Sequence, residues 1–95
     1  MNKENPEEFY TRLRTQLEES TQWPSLYLYK FIVLTDEDKI NQIHSIFNNL
    51  GAVIDSKLSK NGKYTSLSIQ VNLENPDAVI EKYIEVGVIE GVISL

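Results

Sequence analysis

Ninety-five residues suffice for one hydrophobic core, and 41% hydrophobic with 24% charged residues is the composition of an ordinary globular domain. The chain has no cysteine, which excludes disulfides, thiol nucleophiles, iron–sulfur ligation and cysteine-based zinc sites. Fourteen acids against nine bases give a net charge of −5, and phosphate backbones repel such a surface unless its bases are clustered.

The opening M-N-K-E-N-P-E-E is polar and lacks the apolar segment of a signal peptide. No run of about eighteen apolar residues occurs after it, so a cytoplasmic protein is expected. Asn5-Pro6-Glu7-Glu8 is a helix start: Asn caps, Pro takes the first helical position, and the acids face the positive end of the helix dipole. Phe9, Tyr10, Leu13 and Leu17 fall on one stripe, Glu8 precedes Arg12 by four residues, and the helix runs to near Glu19. Pro24 then disfavours helix at Trp23 and leads into an extended segment, with Trp23 placed to pin the helix to the domain.

Leu26 to Leu34 is the first strand, with Tyr27, Tyr29, Phe31 and Val33 on one face and Leu28, Lys30, Ile32 and Leu34 on the other. Lys30 marks the second face as the solvent side. Thr35, followed by Asp36, Glu37 and Asp38, is read as the cap and acidic first turn of a second helix. Ile40, Ile43, Ile46, Phe47 and Leu50 form its buried stripe, with Gly51 as its stop. Ala52 to Ser59 is a short strand, and Asn61-Gly62 is a hairpin signal because both residues tolerate positive φ. The third strand returns from Lys63 to Leu73 with Thr65, Leu67, Ile69, Val71 and Leu73 facing the core. Asn75-Pro76-Asp77 repeats the capping logic of Asn5-Pro6. Val79, Ile80, Tyr83 and Ile84 give that helix its apolar face, Gly87 ends it, and Val88 to Leu95 is a last strand.

An N-terminal helix followed by β-α-β-β-α-β predicts an α+β, ferredoxin-like two-layer sandwich. Right-handed crossovers place both later helices on one face of a four-stranded antiparallel sheet whose first and third strands are central. Residues 1–25 then form the helix and connector, and residues 26–95 the ferredoxin-like domain. Tyr29, Phe31, Leu67 and Ile69 lie mid-core beneath Ile43, Phe47, Val79 and Tyr83. The second sheet face is open. Leu28 and Ile32 on it ask for cover, either from Phe9, Leu13 and Leu17 of the first helix or from a second subunit.

Y-L-Y-K-F in the first strand, S-K-N-G-K-Y-T-S-L-S-I-Q-V across the hairpin and I-E-K-Y-I-E-V-G near the end resemble the YbeD-like family of small bacterial proteins. The resemblance covers roughly Leu26 to Leu95, and the leading helix looks like an extension beyond it. It implies a ferredoxin-like fold similar to the ACT regulatory domains of amino-acid enzymes. Members carry a label of lipoic-acid-binding regulatory protein, but the family offers no agreed catalytic residues to carry over.

Three of the nine bases, Lys57, Lys60 and Lys63, surround one hairpin, with Lys30 on the same open face. Lys30, Lys60, Lys63, Tyr64, Ser66 and Ser68 form the candidate binding set, for an acidic partner or a small carboxylate; lysines that merely discourage edge-to-edge association are the structural alternative. Nucleic acid is not expected: a base-stacking sheet needs aromatic residues mid-strand, where this face carries Leu28, Lys30 and Ile32 beside serines. His44 flanks the apolar stripe of the second helix without an evident acid–base partner. One histidine and no cysteine give no transition-metal set, and Asp36, Glu37 and Asp38 are explained by their helix start. No cofactor is implied. The reading is a non-catalytic regulatory module that binds a partner protein or itself. The alternative is a small enzyme acting on an acyl or phosphoryl group, although the arginine cradle such an enzyme needs after the first strand is missing, since Arg12 and Arg14 both precede it.

Overall fold

The structure, a computed structural model, describes residues 5–95, so residues 1–4 of the 1–25 segment lie outside the described residues. Helix α1 (Pro6–Ser20) precedes β1 (Ser25–Leu34), α2 (Glu37–Phe47), β2 (Val53–Leu58), β3 (Tyr64–Leu73), α3 (Pro76–Gly87) and β4 (Ile93–Ser94). The strands form one antiparallel sheet in the order β2-β3-β1-β4. This is the ferredoxin-like arrangement read from the sequence, with β1 and β3 central and paired from Ser25↔Leu73 to Leu34↔Tyr64.

Period-two alternation puts Tyr29, Phe31 and Val33 of β1 and Leu67, Ile69 and Val71 of β3 on one face. There they are buried with Ile43 and Phe47 of α2 and Val79 and Val86 of α3. The centre is aromatic. The Tyr29 ring stacks on Phe31 at 5.6 Å and meets Phe47 at 5.1 Å and Tyr83 edge-on at 4.8 Å. Its hydroxyl donates to the Val79 carbonyl at 2.9 Å, which satisfies the ring's one polar group inside an apolar layer. A second buried-edge pair joins the hydroxyls of Tyr27 and Tyr83 at 2.9 Å. The asparagine caps are in place: Asn5 Oδ1 accepts from the Glu8 N–H, and Asn75 Oδ1 from the Ala78 N–H, both at 2.8 Å.

Five local expectations are corrected. The cap of α2 is Asp36, whose carboxylate accepts from the N–H groups of Asp38 and Lys39. Thr35 instead extends the sheet, its N–H donating to the Lys63 carbonyl and its hydroxyl paired with Thr65. Helix α2 ends at Phe47, because Asn49 as well as Gly51 takes a left-handed conformation, so Leu50 swings out of the buried stripe and is exposed. In α3, Ile84 is exposed and Val86 is buried in its stead. The last strand shrinks from Val88–Leu95 to Ile93–Ser94, since the chain turns at residues 88–92 with Gly91 at φ 81° before it meets β1.

The fifth correction concerns α1. It packs beside α3 on the helical side, not across Leu28 and Ile32. Arg14 forms an ion pair with Asp77 of α3, and Leu17 and Trp23 pack against the core. Trp23 does pin the helix, its indole N–H donating to the Leu17 carbonyl at 3.1 Å.

The hairpin forms at Asn61-Gly62 as expected, but its turn differs from the one the two residues suggest. Of Asn61 and Gly62, only Gly62 has positive φ, at 75°. The Gly62 N–H donates to the Ser59 carbonyl, and Asn61 Oδ1 accepts from the Lys63 N–H and the Ser59 hydroxyl, so Asn61 works through its side chain rather than its backbone. Gly62→Ala is therefore expected to cost about 1–2 kcal/mol although a Cβ there meets open space, and thermal melting measures the loss.

Candidate functional site

Cross-strand partners share a face, so the register defines the open side of the sheet row by row. Val53, Gln70 and Leu28 form one row; Asp55, Ser68 and Lys30 the next; Lys57, Ser66, Ile32 and Ile93 a third. Leu26 and Leu34 extend β1's share at either end. Leu26, Leu28 and Val53 are each 58% exposed and Ile93 54%, whereas an ordinary sheet face in water would place polar groups there. The result is a face with exposed apolar side chains on β2, β1 and β4, divided by the polar Gln70, Ser68 and Ser66 of β3.

All six predicted residues fall on this face or on the hairpin at its end. Tyr64, Ser66 and Lys60 line a shallow depression of about 440 Å³ together with Ile32, Lys57 and Leu58. Lys63 sits outside that depression, its ammonium 5.6 Å from the Tyr64 ring centroid, a cation–π contact that fixes the ring at the rim. Lys30 and Ser68 occupy the neighbouring row beside Asp55. Thus three of the six converge, one braces them and two lie adjacent. Sequence reasoning missed Asp55, Val53 and Ile93. Their faces depend on the phase of β2 and β4, which only the pairing with β3 and β1 reveals.

His44 is exposed on α2. It lines a wider hollow of about 720 Å³ with Asn41, Ser45, Asn48 and Asn49, on the side of the molecule away from the lysines. Among the described residues, no group of three or more His, Asp or Glu side chains is gathered as metal ligands would be. No described helix is long and apolar enough to cross a membrane.

Neither a curated protein nor a solved structure matches the chain significantly. A family profile does, over residues 18–95, which takes in the whole sheet, α2 and α3 but leaves out most of α1. With the sequence resemblance and the fold in agreement, the chain belongs to the family described as protein of unknown function DUF493, the family that includes the YbeD-like proteins.

Proposed function

We propose that this chain is a non-catalytic, ACT-like interaction module of the cytoplasm that regulates by binding, with the open sheet face and hairpin as its contact surface and an acidic protein as its partner. The supporting observation is charge segregation around a face with exposed apolar side chains. Of nine bases, Lys30, Lys57, Lys60 and Lys63 lie on this face and its hairpin, and of fourteen acids Asp55 alone does so among the described residues. The face is thus cationic on a chain of net charge −5. A cationic rim around exposed Leu28, Val53 and Ile93 complements a surface with an apolar centre and carboxylates at its margin.

The lysine-lined depression takes one such carboxylate. A free small carboxylate, of the kind the lipoic-acid label of similar proteins implies, would fill that depression alone and leave the exposed apolar side chains bare, so the larger occupant is the better fit. An acyl- or phosphoryl-transfer enzyme is the weaker reading. Asp36 and the first turn of α2, Glu37 and Asp38, follow β1 and repel a phosphoryl group, and Arg14 of α1 is engaged by Asp77 of α3.

The test is site-specific photo-crosslinking of the full chain in its own cells, with the crosslinker at position 28 and, as a control, at the highly exposed position 88 near the end of α3. The expected result is a discrete heterologous adduct from position 28 alone, reduced at least about tenfold when Lys57, Lys60 and Lys63 are changed to Glu. Adducts of twice the chain's own mass would transfer the face to self-association. Identical patterns from both positions would remove the face from function.

A further inference from the structure

We propose that the cavity beneath α1 is a binding site for a small, uncharged, largely apolar molecule carrying one hydroxyl or carbonyl group. This site is on the helical side of the molecule and independent of the sheet face. Helix α1 does not close flush on the domain. Between Phe9, Tyr10 and Leu13 on its inner stripe and Tyr83, Val86 and Val92 opposite lies a cavity of about 290 Å³. Protein interiors leave few voids larger than a water molecule, and this one approaches the lower end of the ~300–1,000 Å³ range of small-molecule pockets. It is also the most enclosed of the hollows described for this protein.

Its lining chooses the ligand's chemistry. The walls are aromatic and aliphatic, and no charged side chain lines the cavity. A bare ion would lose its hydration there with no counter-charge in return. The polar exceptions are hydroxyls. Tyr83 pairs with Tyr27 at 2.9 Å, and Ser94 lines the same cavity. Burial raises the Tyr83 hydroxyl's pKa above its ordinary value, so it is a neutral phenol at physiological pH. With Tyr27 as the donor of that pair, the one proton of Tyr83 serves a ligand carbonyl or hydroxyl; with Tyr83 as the donor, its lone pair still accepts from a ligand hydroxyl.

The architecture provides entry. None of α1's residues is buried, although its apolar stripe faces the domain. One wall of the cavity lies before residue 18, outside the matched family region, and the other lies within it. Helix α1 is therefore a cover laid over the family domain, and the void is what it encloses.

The experiment titrates the full, methyl-labelled chain with p-cresol, toluene and 4-methylbenzoate, three probes of one shape, read by carbon-13 NMR. p-Cresol is expected to shift the methyl signals of Leu13, Val86 and Val92 saturably, and 4-methylbenzoate to bind at least about tenfold more weakly. Val92→Phe and Leu13→Phe fill the cavity from opposite walls, and each should lower p-cresol affinity at least about tenfold while the chain keeps its melting temperature. If one of these variants does not fold, the other decides. Tyr83→Phe should weaken p-cresol and leave toluene unchanged. The proposal is overturned if p-cresol gives no saturable shift, if the carboxylate binds equally well, or if a folded filling variant binds p-cresol undiminished. Equal loss of p-cresol and toluene in Tyr83→Phe overturns the role given to the hydroxyl.

Discussion

Tyr29→Ala is expected to destabilise the protein by about 3–5 kcal/mol, the cost of removing a large aromatic side chain from a close-packed centre. Tyr29 is fully buried and contacts Phe31, Phe47 and Tyr83, so truncation opens a void that both helices and the sheet border. A domain of this size has only about 5–15 kcal/mol in total, and each kcal/mol moves the melting temperature by about 4–8 °C. The melting temperature should therefore fall by at least about 12 °C, measured by calorimetry. Tyr29→Phe separates the ring from its hydroxyl. It keeps the packing and removes one hydrogen bond to Val79, whose carbonyl lies within α3 and keeps its helical partner, so about 0.5–1.5 kcal/mol is expected. A loss of the same size in both variants would contradict a packing role for the ring.

Alkaline pH should unfold the protein steeply. Burial is the first cause that raises the Tyr29 and Tyr83 hydroxyls above the ordinary phenol value, and neighbouring tyrosines add to it. The unfolded chain gives up these protons near pH 10 while the folded chain retains them. Above that pH the folded state binds more protons, so stability falls as pH rises. The contribution is fully present below about pH 10 and is lost progressively toward the raised folded values. Each fully buried tyrosine contributes a slope of about 1.4 kcal/mol per pH unit, with less from Tyr83, which retains some solvent contact. Urea unfolding from pH 8 to 12 measures the slope. In Tyr29→Phe it should be shallower by about one proton's worth, and an unchanged slope would refute the assignment.

Where a single period ruled, the sequence was legible. The alternation of Tyr29, Phe31 and Val33 against Leu67, Ile69 and Val71 has one solution that buries aromatic and branched side chains, and the fold adopts it. Asn5 and Asn75 each precede proline, a local signal that tertiary packing has no reason to override. Legibility failed where two local signals competed. Thr35 and Asp36 both cap helices well, and the choice went to Asp36 because the Thr35 backbone was needed by Lys63 and its hydroxyl by Thr65. Val88–Leu95 reads as a strand by composition, yet Gly91 and the short reach to β1 leave two paired residues. The place of α1 was not legible at all. Its stripe of Phe9, Leu13 and Leu17 fits either side of the sheet, and only tertiary contacts choose between them: Arg14 with Asp77, and Leu17 and Trp23 against the core. For the candidate site, the hairpin lysines and the Tyr64–Ser66–Ser68 stripe were visible in the third strand's own alternation. Val53 and Ile93 were not, because a strand of six residues and one of two carry too little period to fix their phase.

Because α1 holds to the domain through one exposed ion pair, an indole bond and side chains that never leave solvent entirely, it is expected to open as a unit of its own. Its backbone amides should exchange with deuterium far sooner than those of β1 and β3, through partial openings that leave the sheet intact. Any molecule held beneath it would then stay no longer than the helix stays down, so its residence time would be capped by a fluctuation of the protein as well as by the strength of its own contacts.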